Sequence, residues 1–133
     1  MTTPHRWLGA HADRAYALMR IVVAFLYLQH GLQKLLPVLG GPVAHSPLFI
    51  TAGFIESLCG FAILIGFQAS WAAFLASGEM AVAYFLFHAP HSFWTILNHG
   101  EIVVAFCFVF LYVAVRGAGP WSVDGLGEGR RET

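Results

Sequence analysis

Charged side chains are scarce in this sequence. They make up 11% of its 133 residues, whereas a soluble domain carries about 25%. With 58% hydrophobic residues, the chain could hardly build a water-facing surface, which argues against a soluble domain. Neither sign of charge is in excess: seven basic residues balance seven acidic ones. That balance argues against nucleic acid as a partner.

Cysteine is also rare. Cys59 and Cys107 both lie inside apolar runs, and they form neither a CxxC motif nor a metal-binding spacing. The sequence predicts two inert buried thiols, with a disulfide or redox pair between them as the alternative. The first 14 residues lack the pattern of a cleavable signal, so the first apolar run is expected to be retained.

Apolar runs, in contrast, are long. Apolar stretches cover residues 15–36, 48–67, 70–87 and 102–115, and they are separated by clusters of proline, glycine and polar residues. A membrane-spanning helix needs about 20 residues. The pattern predicts an all-α, integral membrane four-helix bundle with antiparallel helices near 15–36, 48–67, 70–89 and 99–115. Residues 1–14 are expected to form an N-terminal segment, 15–116 the bundle and 117–133 a polar C-terminal tail without a core of its own.

The positive charges predict the orientation. Six arginines lie before, at the start of or after the four runs, and Lys34 alone belongs to the opposite end. The positive-inside rule then places both termini in the cytoplasm of a multi-pass protein of the cell inner membrane. Arg20 is expected to snorkel to the cytoplasmic interface.

In this topology the intramembrane polar residues, apart from Arg20, gather in the outer half of the membrane. Glu56 falls within the second run, on one helical stripe with Gly53, Ser57 and Gly60, and Glu79 falls on a stripe of alanines in the third run. Ionisable residues inside a membrane are costly and are candidates for function by default. The predicted site comprises Tyr27, His30, Lys34, Glu56, Glu79, His88, Asn98, His99 and Glu101. His88 is a discrepancy, because nine residues after Glu79 it falls on the opposite side of an ideal helix.

Several chemistries could use this cluster. Three glutamates and one lysine leave an excess of negative charge, which a bound proton or a ligand would neutralise. A quinone, whose carbonyl oxygens need hydrogen-bond donors, would suit it. A metal ion held by Glu and His side chains and a pathway for protons or small solutes are two others. Purely structural pairing is the simplest interpretation, and composition alone cannot separate these four.

The chain also resembles the DoxX family of small four-helix membrane proteins. The resemblance rests on "QHGLQKL" (29–35), "AGFIESLCG" (52–60), "GEMAVAYFLFHAP" (78–90), "FWTILNHGE" (93–101) and "RGAGPWSVD" (116–124). It implies similarity to a small subunit of a thiosulfate:quinone oxidoreductase and to proteins linked with quinone stress and redox-defence complexes. Carried over by position, the polar residues of the family are His30, Lys34, Glu56, Glu79, His88, Asn98 and Glu101.

The resulting hypothesis is a membrane protein that binds a quinone or a similar small aromatic near its outer face, as a subunit of a quinone-linked oxidoreductase. Lys34 and Asn98 would donate hydrogen bonds to the ligand, and Glu79 or Glu101 would exchange protons with it. Tyr27, Phe85, Phe87 and Trp94 would form the walls. The second hypothesis is a membrane anchor or assembly subunit for a redox partner protein, and a metal site is the third. The substrate and any association between copies of the chain are left open.

Overall fold

The computed structural model describes residues 4–129, and this part of the chain is helical with no β-strand. Seven α-helices follow one another: α1 (Pro4–Gly9), α2 (Ala12–Leu35), α3 (Pro47–Ile65), α4 (Ala69–Ala83), α5 (Thr95–Asn98), α6 (Glu101–Arg116) and α7 (Val123–Gly129). A π-helical segment, Tyr84–His88, continues α4. The predicted all-α fold is confirmed.

Local signals define both ends of α3. Ser46 caps its start, because the Ser46 hydroxyl accepts a hydrogen bond from the Phe49 backbone N–H at 3.3 Å, and Pro47 occupies the first helical position. Its other end stops at Gly66, whose φ of 71° lies in the left-handed region that favours glycine. A turn of three residues then leads into α4.

Glycines set the close packing of α2 on α3. A β-carbon on Gly31 would lie 2.5 Å from the Ser57 backbone nitrogen, and one on Gly60 would lie 3.0 Å from the Leu28 α-carbon. Gly53 approaches Leu35 in the same way. Residue numbers rise along one helix as they fall along the other, so the two helices are antiparallel, and small residues allow their backbones to approach.

The remaining long helices pack as a second antiparallel pair. The Ser77 hydroxyl of α4 donates a hydrogen bond to the Cys107 carbonyl of α6 at 2.8 Å. The fully buried Tyr27 side chain of α2 meets Phe106 and Phe110 of α6, with ring centroids 5.7 and 4.8 Å apart. The core therefore lies between the α2–α3 pair and the α4–α6 pair.

Three of these helices are long and apolar enough to cross a membrane: Ala12–Leu35, Pro47–Ile65 and Ala69–His88. Many of their large apolar side chains point outward, such as Trp71 and Leu58, which are 74% and 69% exposed. The fourth long helix, α6, has 16 residues, or roughly 24 Å at 1.5 Å per residue, which is short of the hydrocarbon thickness. A fourth span, and the orientation that depends on it, therefore stay predictions.

The bundle has two ends, which we name the Arg20 end and the Lys34 end. The Arg20 end holds the start of α2, the α3–α4 turn and the end of α6; the Lys34 end holds the end of α2, the start of α3, the π segment and the start of α6.

At the Arg20 end the expectation of a snorkelling arginine is wrong. Arg20 is fully buried, and its guanidinium donates to the carbonyls of Ile63 and Leu64 in the last turn of α3 and of Pro120 and Trp121 beyond α6. The four donor–acceptor distances are 2.7, 2.9, 3.2 and 2.8 Å. The planar fork of arginine can reach several carbonyls at once, which makes burial tolerable.

The described part of the tail packs against the bundle at the same end. The Asp124 carboxylate accepts hydrogen bonds from the backbone N–H groups of Gln68 and Ala69, at 2.9 and 3.0 Å, and so caps the start of α4. Ala118 and Ser122 are buried. We call this arrangement the tail clamp: Arg20, Pro120, Trp121 and Asp124 joined to the α3–α4 turn.

Candidate functional site

A cavity of about 830 Å³ lies between the two helix pairs near the Lys34 end. Its wall is mostly apolar. The polar side chains that line it come from α2, α3, α4 and the π segment: Tyr27, His30, Lys34, Thr51, Glu56, Glu79 and His88. Each of these except Thr51 was predicted as a site residue. Ligand pockets of about 300–1,000 Å³ with a few convergent polar groups are typical of small-molecule sites.

Lys34 and Glu56 form an ion pair on this wall. The Lys34 Nζ atom lies 2.6 Å from Glu56 Oε2 and also donates to the His30 carbonyl at 3.5 Å. The Glu56 side chain is almost completely buried, at 4% exposure, because Gly31 lets α2 approach its β-carbon. A partner of opposite charge is what makes a carboxylate tolerable at such a depth.

Glu79 has a different partner, which sequence reasoning missed. The Tyr27 hydroxyl donates a hydrogen bond to Glu79 Oε2 at 3.0 Å. Tyr27 is held by the rings of Phe106 and Phe110. Tyr27 therefore positions Glu79 as well as forming part of the cavity wall, and the two carboxylates are satisfied by separate donors.

The π segment resolves the discrepancy at His88. A π-helix turns more slowly per residue than an α-helix, so the five residues Tyr84–His88 rotate His88 toward the face that carries Glu79. Both side chains line the same cavity. The His88 Nδ1 atom lies 2.9 Å from the Asn98 carbonyl, and a carbonyl can only accept, so Nδ1 carries the proton. In the neutral ring this leaves Nε2 as an acceptor.

Three predicted site residues lie elsewhere. Asn98 is buried, but its side-chain amide nitrogen donates to the Ser92 carbonyl at 2.9 Å and to the Tyr84 hydroxyl at 3.3 Å. Its side-chain oxygen, Oδ1, accepts from the Gly100 N–H. Asn98 thus orders the loop before α6 and has no amide hydrogen directed at a ligand. His99 and Glu101 are exposed and do not line the cavity.

The expectation that Glu79 and Glu101 share one site is wrong, because Glu79 lines the cavity and Glu101 does not. Glu101 is the first residue of α6, where a carboxylate is favoured by the helix dipole. Among the predicted walls, Tyr27 and Phe87 line the cavity, whereas Phe85 and Trp94 are 69% and 66% exposed and do not.

The described residues hold no group of three or more His, Cys, Asp or Glu side chains arranged to hold a metal ion. The geometry of residues 4–129 therefore gives no support to the metal hypothesis. Within the same range both cysteines are free, with Cys59 buried and Cys107 half-buried beside Ser77.

Replacing both cysteines is expected to leave folding almost unchanged. Cys59→Ala removes a single buried sulfur, and Cys107→Ala leaves the Ser77–Cys107 backbone hydrogen bond intact, so each change should cost about 1 kcal/mol or less. The unfolding midpoint of the double variant in detergent is the measurement. Loss of activity in a correctly folded variant would indicate a thiol mechanism instead.

Comparison with known proteins identifies the family of this chain. The DoxX family matches residues 15–89, more than half of the chain. The chain belongs to the DoxX family. An uncharacterized protein of Haemophilus influenzae is 35% identical over 116 residues, which cover 81% of this chain and 87% of that protein. No solved structure matches.

As a DoxX protein with three apolar helices of spanning length, the chain is a multi-pass membrane protein. The matched residues run from α2 to just after the π segment and so contain every polar residue of the cavity wall. Asn98, His99 and Glu101, which the cavity does not use, lie outside the matched range.

Proposed function

We propose that this DoxX protein binds a quinone or a similar small aromatic molecule in the cavity and acts as a subunit of a quinone-linked oxidoreductase. One observation carries the proposal. A cavity of about 830 Å³ between apolar helices has its ionisable groups, Lys34, Glu56, Glu79 and two histidines, on its wall. Such a site suits a flat apolar molecule with polar oxygens at its edge.

The donors fit the oxygens of a quinone. An ammonium group has three hydrogens, and Lys34 directs two of them at Glu56 and the His30 carbonyl, which leaves one for a ligand oxygen. The His30 ring makes no hydrogen bond to any residue between 4 and 129 and stands at the cavity wall. Phe87, which is 38% exposed, offers aromatic surface for the ring of the ligand.

Glu79 is the group we assign to proton exchange. A quinone that is reduced takes up protons on its oxygens, and a bound carboxyl group can supply or accept them. Glu79 has no lysine or arginine bonded to its carboxylate among the described residues, since its hydrogen-bond partner is the neutral Tyr27 hydroxyl. Glu56, in contrast, is committed to Lys34. The electrons would come from a redox partner protein, and this chain would supply binding and protons.

A second function is a membrane anchor or assembly subunit for such a partner. The observation that favours it is the internal pairing of the site: Lys34 with Glu56 and Tyr27 with Glu79. A purely structural network would be satisfied in this way. The two functions differ in whether the cavity takes up a ligand.

Glu79→Gln is expected to preserve the fold and abolish ligand-coupled proton exchange. Glutamine keeps the size of the side chain and still accepts from Tyr27, but it cannot release a proton. The measurement adds oxidised quinone to the purified protein in nanodiscs under weak buffering, with no reductant, and an indicator dye follows the protons that Glu79 takes up or releases when the quinone binds. Binding itself should change by about tenfold or less.

Glu101→Gln is the matched control, because it removes the same charge from an exposed position outside the cavity. It should behave as the wild type does. Equal proton exchange in wild type and Glu79→Gln would remove Glu79 from the mechanism, and failure of the wild type to bind any quinone would favour the anchor function.

The proposed topology has four spans, with both termini in the cytoplasm and the Lys34 end facing outward across the cell inner membrane. Its basis is the six arginines near the two ends of the chain and the single lysine at the opposite end. Single cysteines in a cysteine-free background, at His45 or His91, should react with an impermeant maleimide added to intact cells. Cysteines at His5 or Glu128 should react only after permeabilisation, and the reverse pattern would invert the topology.

A further inference from the structure

We propose that the ligand is an amphiphile from the bilayer, with an uncharged head in the cavity and an apolar chain that leaves sideways between α3 and α4 into the lipid. This inference rests on the proposed function and deepens it, because it assigns the class of ligand and its route. A small water-soluble aromatic would satisfy the proposed function but not this inference.

The first observation is an opening on one side of the cavity. The α2–α3 and α4–α6 pairs are each closely packed, through Gly31 and Gly60 in one pair and Ser77 in the other. The side between α3 and α4 is bounded at one end by their short turn and at the other by the Phe49–Phe87 ring contact, with centroids 5.1 Å apart, and the cavity lining lies between these two points. Several apolar side chains that line the cavity also stand on the outer surface, with exposures of 52–62%: Leu48, Phe74, Leu75, Val82 and Leu86. Because α3 and α4 are both long and apolar enough to cross a membrane, that surface faces lipid.

The second observation is the shape of the lining. Along α4 and the π segment it runs from Phe74 to Phe87, a distance of roughly 20 Å at 1.5 Å per residue. The ionisable groups stand on the inner wall, and the open side is lined by leucine, valine and phenylalanine. We call the open, apolar side of the cavity between α3 and α4 the groove. A single aromatic head would fill only the polar part of the cavity, so the groove suits an apolar chain.

The third observation is the charge of the wall. Lys34, the single lysine of the sequence, is balanced by Glu56 at 2.6 Å, and Glu79 adds no positive charge. The two histidines do not form an ion pair within residues 4–129. A phosphate headgroup would thus meet no excess of positive charge, which disfavours anionic phospholipids. An uncharged head with hydrogen-bond acceptors is the better match.

The test uses a benzoquinone with a decyl chain that ends in a diazirine, added to the full chain in phosphatidylcholine nanodiscs. After illumination, mass spectrometry locates the labelled residues. Excess unlabelled decyl-benzoquinone should displace part of the labelling. We expect this displaceable labelling on the groove residues of α3 and α4. Labelling on the lipid face outside the groove, around Leu58, should not be displaced, because it reports only the bulk lipid.

Leu75→Trp and Leu86→Trp should block the groove at its two ends, and Leu58→Trp is the matched control. Leu58 is an equally apolar leucine, 69% exposed on α3 and outside the cavity lining. At least one groove variant should weaken displaceable labelling about tenfold, as expected when a large side chain overfills a packed site. The control should keep the labelling of the wild type.

Other results would overturn the inference in distinct ways. If tail-less benzoquinone protects the cavity but the displaceable tail label is spread evenly over all lipid-facing helices, the proposed function stands and the sideways route is wrong. If phosphatidylglycerol added as vesicles displaces the label and quinone does not, the head of the ligand is anionic and not uncharged. If neither quinone binds, the proposed function fails together with the inference.

Discussion

Gly31→Ala is expected to destabilise the protein by about 3 kcal/mol, at the upper end of the cost of overfilling a packed core. The added β-carbon would lie 2.5 Å from the Ser57 backbone nitrogen and 2.8 Å from the Glu56 β-carbon. Backbone cannot move aside as a flexible side chain can, so α2 and α3 must separate. The Lys34–Glu56 pair, one turn along α2, would lengthen with them. Unfolding midpoints in detergent and quinone binding should both fall.

Gly78→Ala is the control for this change. Gly78 is also a glycine inside a long apolar helix, but a β-carbon there would meet nothing within 4 Å. Since alanine favours a helix over glycine by up to about 1 kcal/mol, Gly78→Ala should leave the unfolding midpoint unchanged or raise it. The same sign of effect in both variants would show that the close approach of α2 and α3 is not what Gly31 provides.

Arg20→Leu is expected to cost about 3 kcal/mol and to release the tail clamp. It removes the donors of four hydrogen bonds, and each carbonyl left buried without a partner costs about 1–3 kcal/mol, reduced where water reaches the loosened tail. Limited proteolysis should cut the chain after α6 much faster than in the wild type. The unfolding midpoint should fall as well.

Arg14→Leu on the same helix removes an equal charge from an exposed position and should have little effect on either measurement. Arg20→Lys should recover only part of the stability, because one ammonium group cannot reach both α3 and the tail as the guanidinium does. If Arg20→Leu left the proteolysis of the tail unchanged, the clamp would not depend on Arg20.

Much of the fold could be predicted because it follows from simple patterns. The four apolar runs gave helices whose ends lie within a few residues of the expected ones, since Pro47 and Gly66 mark boundaries by their own conformational limits. The stripe of small residues on α3 faces the bundle, where Gly53 and Gly60 lie against α2. The tail clamp could not be predicted, because it joins Arg20 to backbone carbonyls far along the chain, and backbone groups carry no sequence signature.

The candidate site was predictable to the extent that polar residues shared a helical face. Lys34, Glu56 and Glu79 line one cavity as expected, because lipid disfavours isolated charges. Glu101 and His99 were grouped with them by depth, and Glu101 also by the family resemblance, and neither argument specifies direction around the helix axis. Asn98 was misjudged for a further reason: its amide is used within its own loop. The place of His88 depended on a π turn, which no periodicity of 3.6 residues anticipates.

The tail clamp has a consequence for the order in which this protein is made. Arg20 lies in α2, the earliest of the long helices that the structure describes, yet two of its acceptors come 43 and 44 residues later and the other two 100 and 101 residues later. Before these carbonyls have been synthesised, the guanidinium of Arg20 makes its hydrogen bonds to water or lipid headgroups. Burial of Arg20 is therefore a late event in the synthesis of the bundle, and it joins the beginning of the bundle to its end only when Pro120 and Trp121 have been translated.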